Sequence, residues 1–428
     1  MLSLAASAFV VLAAEPLYLL VDTGVVGHLG AVPLAALGVA GALMSLVLLL
    51  GTFVEYGTTA RAARAFGAGR TDVAVDEGVQ ASWLAVGIGT GMAVLGEVTA
   101  PWSTTLLSGG SGAVQQAAQS WLRIALVGVP GVLLVLAGNG WMRGVQETRS
   151  PVRIVLVANA LSAAACPPLV YGLGLGLQGS AVANVAGQAV GGGLFLVALR
   201  ARAKGFAPSW VVMRGQLRMG RDLLLRSLAF QVAFLAAAGV ASRMGTAQIA
   251  AHQIGLQLWE FTALMLDSFA IAPQSLVGAA LGGSDEAGAR RLAVRVGRWG
   301  LWAGTAFAAL AAAGYGVLPD VFTASPAVLQ QTRVLWPWFV AMLPVAGFVF
   351  ALDGVLVGAG DVAFMAWLTV LAGVGVFAPV SIAALQWHWG LGGVWAGLAA
   401  FVTVRLVGML VRIRGDRWVV LGAAPGQH

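Results

Sequence analysis

The sequence predicts an all-α membrane protein with twelve transmembrane helices, arranged as two six-helix lobes related by a pseudo-two-fold along the membrane normal. Three observations predict it. Of 428 residues, 59% are hydrophobic and 10% charged, and the mean hydropathy is +0.88. Soluble domains carry about 25% charged residues, so a chain this apolar needs the bilayer as its solvent. The apolar residues fall into twelve windows of the roughly 20 residues that a membrane helix requires. Finally, the second half of the chain repeats the first.

The spans are expected near residues 3–28, 33–62, 73–99, 115–142, 151–173, 178–200, 219–244, 248–281, 292–317, 327–357, 363–385 and 391–414. The chain is apolar from Leu2 with no basic leader, so its start reads as the first span and not as a signal peptide. Glycine is abundant, at 59 residues, as expected where membrane helices approach closely. The short alternating strands of a membrane β-barrel are absent from the pattern. The basic residues are 23 Arg and Lys204. All but Arg123, Arg243 and Arg333 lie at the loops after spans 2, 4, 6 and 8 and in the C-terminal tail. This bias predicts cytoplasmic termini and a multi-pass protein of the cytoplasmic membrane. Trp102, Trp121, Trp336, Trp338, Trp387 and Trp389 fall near expected outer helix ends, as an interfacial belt would. The net charge of +7 is spread over short loops and does not predict a nucleic-acid partner.

The repeat is legible in three blocks. HLGAVPLAALGVAG from His28 aligns with RMGTAQIAAHQIGL from Arg243, an offset of 215. VPGVLLVLAGNGWMRGVQET from Val129 aligns with LPVAGFVFALDGVLVGAGDV from Leu343, an offset of 214, as does GLQGSAVA from Gly176 with GLGGVWAG from Gly390. Six helices per half return the chain to the same side, so the repeats are parallel. Such repeats are typical of secondary transporters. The expected organisation is an N-terminal lobe over 1–200, a cytoplasmic linker over 201–217, a C-terminal lobe over 218–414 and a tail over 415–428.

Six carboxylates lie inside expected spans: Glu15, Asp22, Glu55, Glu260, Asp267 and Asp353. Each costs at least about 2.5 kcal/mol at the bilayer centre, so such residues face a bundle interior or a cavity. Glu15 and Asp22, seven residues apart, share a face of span 1. Pro16 between them removes a backbone donor and invites a bend. Two stacked carboxylates on a bendable helix suit proton uptake coupled to movement. Glu260 and Asp267 repeat the seven-residue spacing on span 8, where His252, Gln253 and Trp259 are either substrate contacts or packing residues, and Pro273 adds a kink. Asp353, followed by Gly354, Gly358 and Gly360, reads as a structural residue of a helix-end turn. Glu55 reads as a partner of Arg61 or Arg64.

No phosphate-binding GxxxxGK[ST] loop, HExxH or GxSxG motif is present, so neither ATP hydrolysis nor an enzyme is expected, and no residue is expected to be catalytic. The lone Cys166 excludes an internal disulfide, and four unclustered histidines predict no metal centre. The remaining energy source is an ion gradient.

The stretches EPLYLLVDTGVVGHLG, AAHQIGLQLWE, LDSFAIAPQSLVGAALG and LDGVLVGAGD together resemble the multidrug and toxic compound extrusion (MATE) family, in its DinF-like branch. The resemblance implies two six-helix lobes around a central cleft, exporting organic, often cationic or amphipathic compounds in exchange for H⁺ or Na⁺. It assigns the family's cation- or proton-linked aspartate of helix 1 to Asp22. The family's Asn and Asp of helix 5 fall at Ser162 and Cys166, with Asn159 one turn earlier. That departure from the sodium-site pattern favours protons over Na⁺ and leaves Glu15 as a second acidic group. The expected protein is therefore a monomeric, H⁺-coupled exporter with no cofactor beyond the gradient. A lipid-linked-precursor flippase is the alternative among related two-lobed transporters.

Overall fold

The protein was analysed as a computed structural model, which describes residues 2–110 and 112–422, with side chains for all of these except 2–9 and 12. Among the described residues the regular structure is all helical: α1 (Leu2–Gly27), α2 (Ala31–Gly67), α3 (Thr71–Leu107), α4 (Gly112–Val127), α5 (Val129–Gly144), α6 (Arg149–Pro167), α7 (Leu177–Arg200), α8 (Trp210–Met244), α9 (Thr246–Gly282), α10 (Glu286–Ala313), α11 (Leu318–Phe322), α12 (Pro326–Gly358), α13 (Val362–Ala372), α14 (Ala378–Gln386) and α15 (Gly390–Arg414). A π-helical turn, Pro168–Gly172, continues α6, and another, Gly373–Phe377, joins α13 to α14. Among the described residues, nine helical segments are long and apolar enough to cross a membrane, and ten if α4 and α5 form one span bent by 48°. The bend has a local cause: Pro130 at the start of α5 offers no N–H to the preceding turn. The 26-residue α1 and 28-residue α10 occupy the first and ninth expected spans. Each of the twelve expected spans is thus helical, and the protein is an integral membrane protein.

Two compact units divide the chain, Leu2–Gly220 and Arg221–His428. Within each, the duplicated sequence makes duplicated contacts. Gly30 and Gly245, one repeat apart, precede α2 and α9 with φ of 119° and 141°, a region that glycine enters without strain. In the first unit α2 packs on α5, and a Cβ on Gly140 would lie 2.3 Å from the carbonyl oxygen of Glu55. In the second unit α9 packs on α12, and a Cβ on Gly354 would lie 2.1 Å from the carbonyl oxygen of Ala270. Glycine 144 against Thr59 and Gly358 against Gln274 repeat the match one turn on. Gly89 of α3 likewise meets Pro130, as Gly304 of α10 meets Pro344. Backbone contact at these crossings replaces the hydrophobic drive that membrane helices lack. Gly354→Ala is expected to cost about 1–3 kcal/mol, because the clash is with backbone and the helices must separate. Gly193→Ala on α7, with nothing within 4 Å, should leave the melting temperature of the purified protein unchanged.

The stretch expected as a linker is shorter and more ordered. Helix α8 starts at Trp210, and residues 201–209 before it are pinned to α3. The Gln80 amide donates to Ala207 O (3.0 Å) and accepts from Ser209 N (2.7 Å), while Trp83 Nε1 donates to Phe206 O (2.9 Å). Buried Gln216 donates to Glu77 Oε2 (2.8 Å), and Arg61 grips the same carboxylate at 2.7 and 2.8 Å. The tail also docks: Trp418 is buried, and Gly422 N donates to Leu281 O (3.0 Å). Residues 423–428 lie outside the described residues.

The structure refines two sequence-based assignments. Glu55 pairs with Arg143 of α5, while Arg61 pairs with Glu77 of α3. The α2–α5 crossing at Gly140 brings Glu55 and Arg143 together although they are 88 apart in sequence. Asp353 is not a helix-end turn residue but the centre of a buried ion cluster. It accepts from Arg405 at 2.9 and 3.0 Å and from Arg226 at 3.0 Å. The Arg405 guanidinium also stacks 4.5 Å over the ring of Phe230. The tryptophan belt is partial: Trp102, Trp338, Trp387 and Trp389 are exposed, but Trp121 and Trp336 turn inward, where their ring nitrogens find buried acceptors.

Candidate functional site

The opening stretch folds as one uninterrupted helix, α1, with Pro16 inside it. Val21 and Thr23 on either side of Asp22 are exposed, whereas Asp22 itself is buried at 1% exposure. Its face of α1 packs on α6, which ends in the CPP sequence that introduces the π-helical turn. Proline denies that turn two N–H donors in succession, which is why the α-helical ladder gives way there. The packing brings Cys166 to Asp22: the thiol donates to Asp22 Oδ1 at 3.3 Å. From α7 the hydroxyl of Ser180 faces the same carboxylate, without a hydrogen bond of regular geometry. Trp121 Nε1 of α4 donates to Ser180 Oγ at 3.1 Å. One turn before Asp22, the buried Tyr18 hydroxyl points toward Asn184 of α7 without a hydrogen bond of regular geometry. A buried carboxylate thus takes a hydrogen bond from α6 and faces a hydroxyl of α7 that is itself held from α4.

The other candidates of this unit lie apart from that cluster. Glu15 is half-buried on α1 and, among the described residues, makes no hydrogen bond or ion pair. Asn159 donates back to Val155 O of its own helix at 3.0 Å. Ser162 is buried against Gly187 of α7. Sequence reasoning missed Tyr18, Trp121, Ser180 and Asn184. Tyr18 was accessible from its spacing, one turn from Asp22. The others sit on spans with no local pattern linking them to α1.

In the second unit, α9 separates its candidates onto two faces. Gln253, Gln257 and Glu260 are exposed at intervals of four and three, and Asp267 continues the row in a half-buried position. His252 and Trp259 point the other way, into the unit. His252 is fully buried, edge-on to Trp395 at 5.9 Å. Trp259 is 5% exposed and packs on Phe234 at 6.1 Å. Adjacent residues on a helix are 100° apart, so neighbours such as 252 and 253 cannot share a function that requires one face. Gln257 joins the exposed row although the sequence had not singled it out.

A duplicated all-helical membrane protein with carboxylates inside its spans is of the secondary-transporter class. The profile of the MatE family matches the chain twice, over residues 7–167 and 223–382. The two matches start 216 residues apart and end 215 apart, in the register of the internal repeat. The chain belongs to the MatE family of multidrug and toxic compound extrusion transporters, and it is not an enzyme. It is 31% identical to the DNA damage-inducible protein F of Escherichia coli K12 over 91% of this chain and 86% of that protein. It is 30% identical to Protein DETOXIFICATION 44, chloroplastic, of Arabidopsis thaliana, over 99% of this chain and 84% of that protein. In fold it is similar to a MATE crystal structure in the bent conformation, with TM-score 0.87 at 21% identity over 96% of this chain and 94% of that one. A MOP-superfamily transporter from Pyrococcus furiosus is similar too, with TM-score 0.84 at 21% identity over 96% and 95% of the two chains.

Proposed function

We propose that the protein exports organic, often cationic or amphipathic compounds from the cytoplasm across the cytoplasmic membrane in exchange for protons, with Asp22 as the proton-loading group. The observation that carries this reading is the donor shell of Asp22. A hard cation such as Na⁺ needs several oxygen acceptors around it. The group that donates to Asp22 is instead a thiol S–H, with a single hydroxyl beside it, and sulfur occupies the place where the family pattern has a carboxylate.

The same shell supports a mechanism. A deprotonated Asp22 accepts from Cys166 and can draw in the neighbouring Ser180 hydroxyl. A protonated Asp22 gains an O–H donor that can turn to the Ser180 oxygen instead. Because Ser180 also holds Trp121, the proton is communicated from α1 to α7 and α4. A difference of two pKa units between two conformations corresponds to about 2.7 kcal/mol of bias, enough to change the dominant state. Glu15, half-buried and without an ion pair among the described residues, serves as the second acidic group of α1, and Pro16 as its hinge. The test is dye efflux from vesicles under an imposed pH or Na⁺ gradient. Efflux driven by Na⁺ alone at equal pH would overturn proton coupling.

Cargo is proposed to engage the exposed row of α9. The combined Glu260→Gln and Asp267→Asn substitution should reduce efflux of cationic dyes by about tenfold, the scale of one charge-assisted contact, and affect neutral dyes less. Equal loss for cationic and neutral dyes would make the row structural. His252→Phe and Trp259→Phe, on the buried face, should act through stability instead.

A further inference from the structure

The duplication exposes a difference between the two units. Residues 80, 83, 84 and 87 of α3 correspond, at the offset of 215 shared by Gly89 and Gly304, to Arg295, Arg298, Trp299 and Trp302 of α10. In the first unit Gln80 and Trp83 hold the backbone of residues 206–209, so this face is covered by the chain itself. Within the second unit no described residue makes the corresponding hydrogen bonds across it. The tail turns back to the α9–α10 corner, where Arg290 pairs with Glu286 and Asp416. Arg295, Arg298, Trp299 and Trp302 instead line an open groove of about 440 Å³. All four are exposed, Trp299 at 50% and Trp302 at 73%. Among the described residues neither arginine has an ion-pair partner.

We propose that this groove binds the headgroup of an anionic phospholipid. The order of residues along the face fits one molecule. Arg291, Arg295 and Arg298 stand at the end of α10 that the charge bias assigns to the cytoplasm. Trp299 and Trp302 follow one turn deeper, and exposed Ala306, Ala309 and Leu310 continue into the span. That sequence of charge, amphipathic ring and apolar surface matches phosphate, glycerol ester and acyl chain. Two guanidinium forks suit a phosphate's oxygens better than point charges would, and basic pockets beside membrane helices are where acidic headgroups collect. The apolar continuation commits the site to a lipid and not to a free anion.

The test uses the full chain, purified in a zwitterionic detergent, with quenching of tryptophan fluorescence by dibrominated phosphatidylglycerol and dibrominated phosphatidylcholine. Phosphatidylglycerol should quench saturably, and phosphatidylcholine should not. Arg295→Gln/Arg298→Gln should weaken phosphatidylglycerol binding about 30-fold, the effect expected from two interfacial arginines. Arg149→Gln/Arg153→Gln removes the same charge from exposed positions on α6 and should shift binding by less than twofold. Trp299→Phe/Trp302→Phe should keep the affinity and lose most of the saturable quenching. The proposal is overturned if both arginine pairs weaken binding equally, if phosphatidylcholine binds as tightly, or if inorganic phosphate displaces the lipid at comparable concentration. Should the Gln pair fail to fold, Arg295→Lys/Arg298→Lys decides: retained charge without the forks should give an intermediate affinity, and an unchanged one overturns the phosphate clamp.

Discussion

Asp22→Asn is expected to abolish dye efflux driven by a proton gradient, reducing it to the level of empty vesicles, while the protein purifies and melts as before. The reasoning lies in the shell around the residue. Asn keeps the size of the side chain and an oxygen that can accept from Cys166 or Ser180, 3.3 Å being the thiol's distance in the native protein. It therefore preserves the packing of α1 on α6 and α7. What it removes is the ability to exchange a proton, and with it the switch from acceptor to donor. Cys166→Ser is the companion variant: a hydroxyl donates more strongly than a thiol and should favour the ionised carboxylate. The pH at which efflux is half-maximal should then move downward, with the maximal rate retained. If Asp22→Asn vesicles still expel dye under a pH gradient, the proton is carried elsewhere, and Glu15→Gln becomes the decisive variant.

Asp353→Ala is expected to be the most destabilising single substitution, costing about 3–5 kcal/mol, because it strips the counter-charge from a buried guanidinium. Arg405 is 2% exposed and held by two hydrogen bonds to Asp353. Arg226, at 19% side-chain exposure, shares the same carboxylate. Arg226 reaches the surface and can turn toward water, but Arg405 lies under Phe230 and the packed body of α15 and has no such route. Replacing both members, Asp353→Leu with Arg405→Met, should restore much of the loss, since an apolar pair of similar volume carries no desolvation cost. Thermal unfolding of the two single variants and the double variant forms the cycle that measures this coupling. Additive losses would mean that the cluster is not coupled.

The sequence by itself determined which segments cross the membrane, because a span is a local property: about twenty apolar residues in a row suffice whatever lies beside them. It also determined the repeat, since a 214–215 residue offset needs no coordinates, and the glycine crossings at Gly140 and Gly354 are its physical content. It marked Asp22 as exceptional through the cost of a carboxylate in a span. What it could not supply was partnership. Arg143, a partner of Glu55, lies 88 residues away along the chain, and the two meet because the α2–α5 crossing is close at a glycine. Asp353 looked like a turn residue because its glycines are local and its arginines are not. Periodicity could divide α9 into faces, but only packing decided that His252 and Trp259 go inward and Gln253 and Glu260 outward. Trp121 and Trp336 fell where interfacial rings belong and turned inward instead, since each indole N–H finds a buried acceptor on a helix or turn that sequence does not place beside it. Spans follow from composition within one segment; the surroundings of Asp22 draw on four helices, and only their packing brings Cys166 and Ser180 to the carboxylate and Trp121 to Ser180.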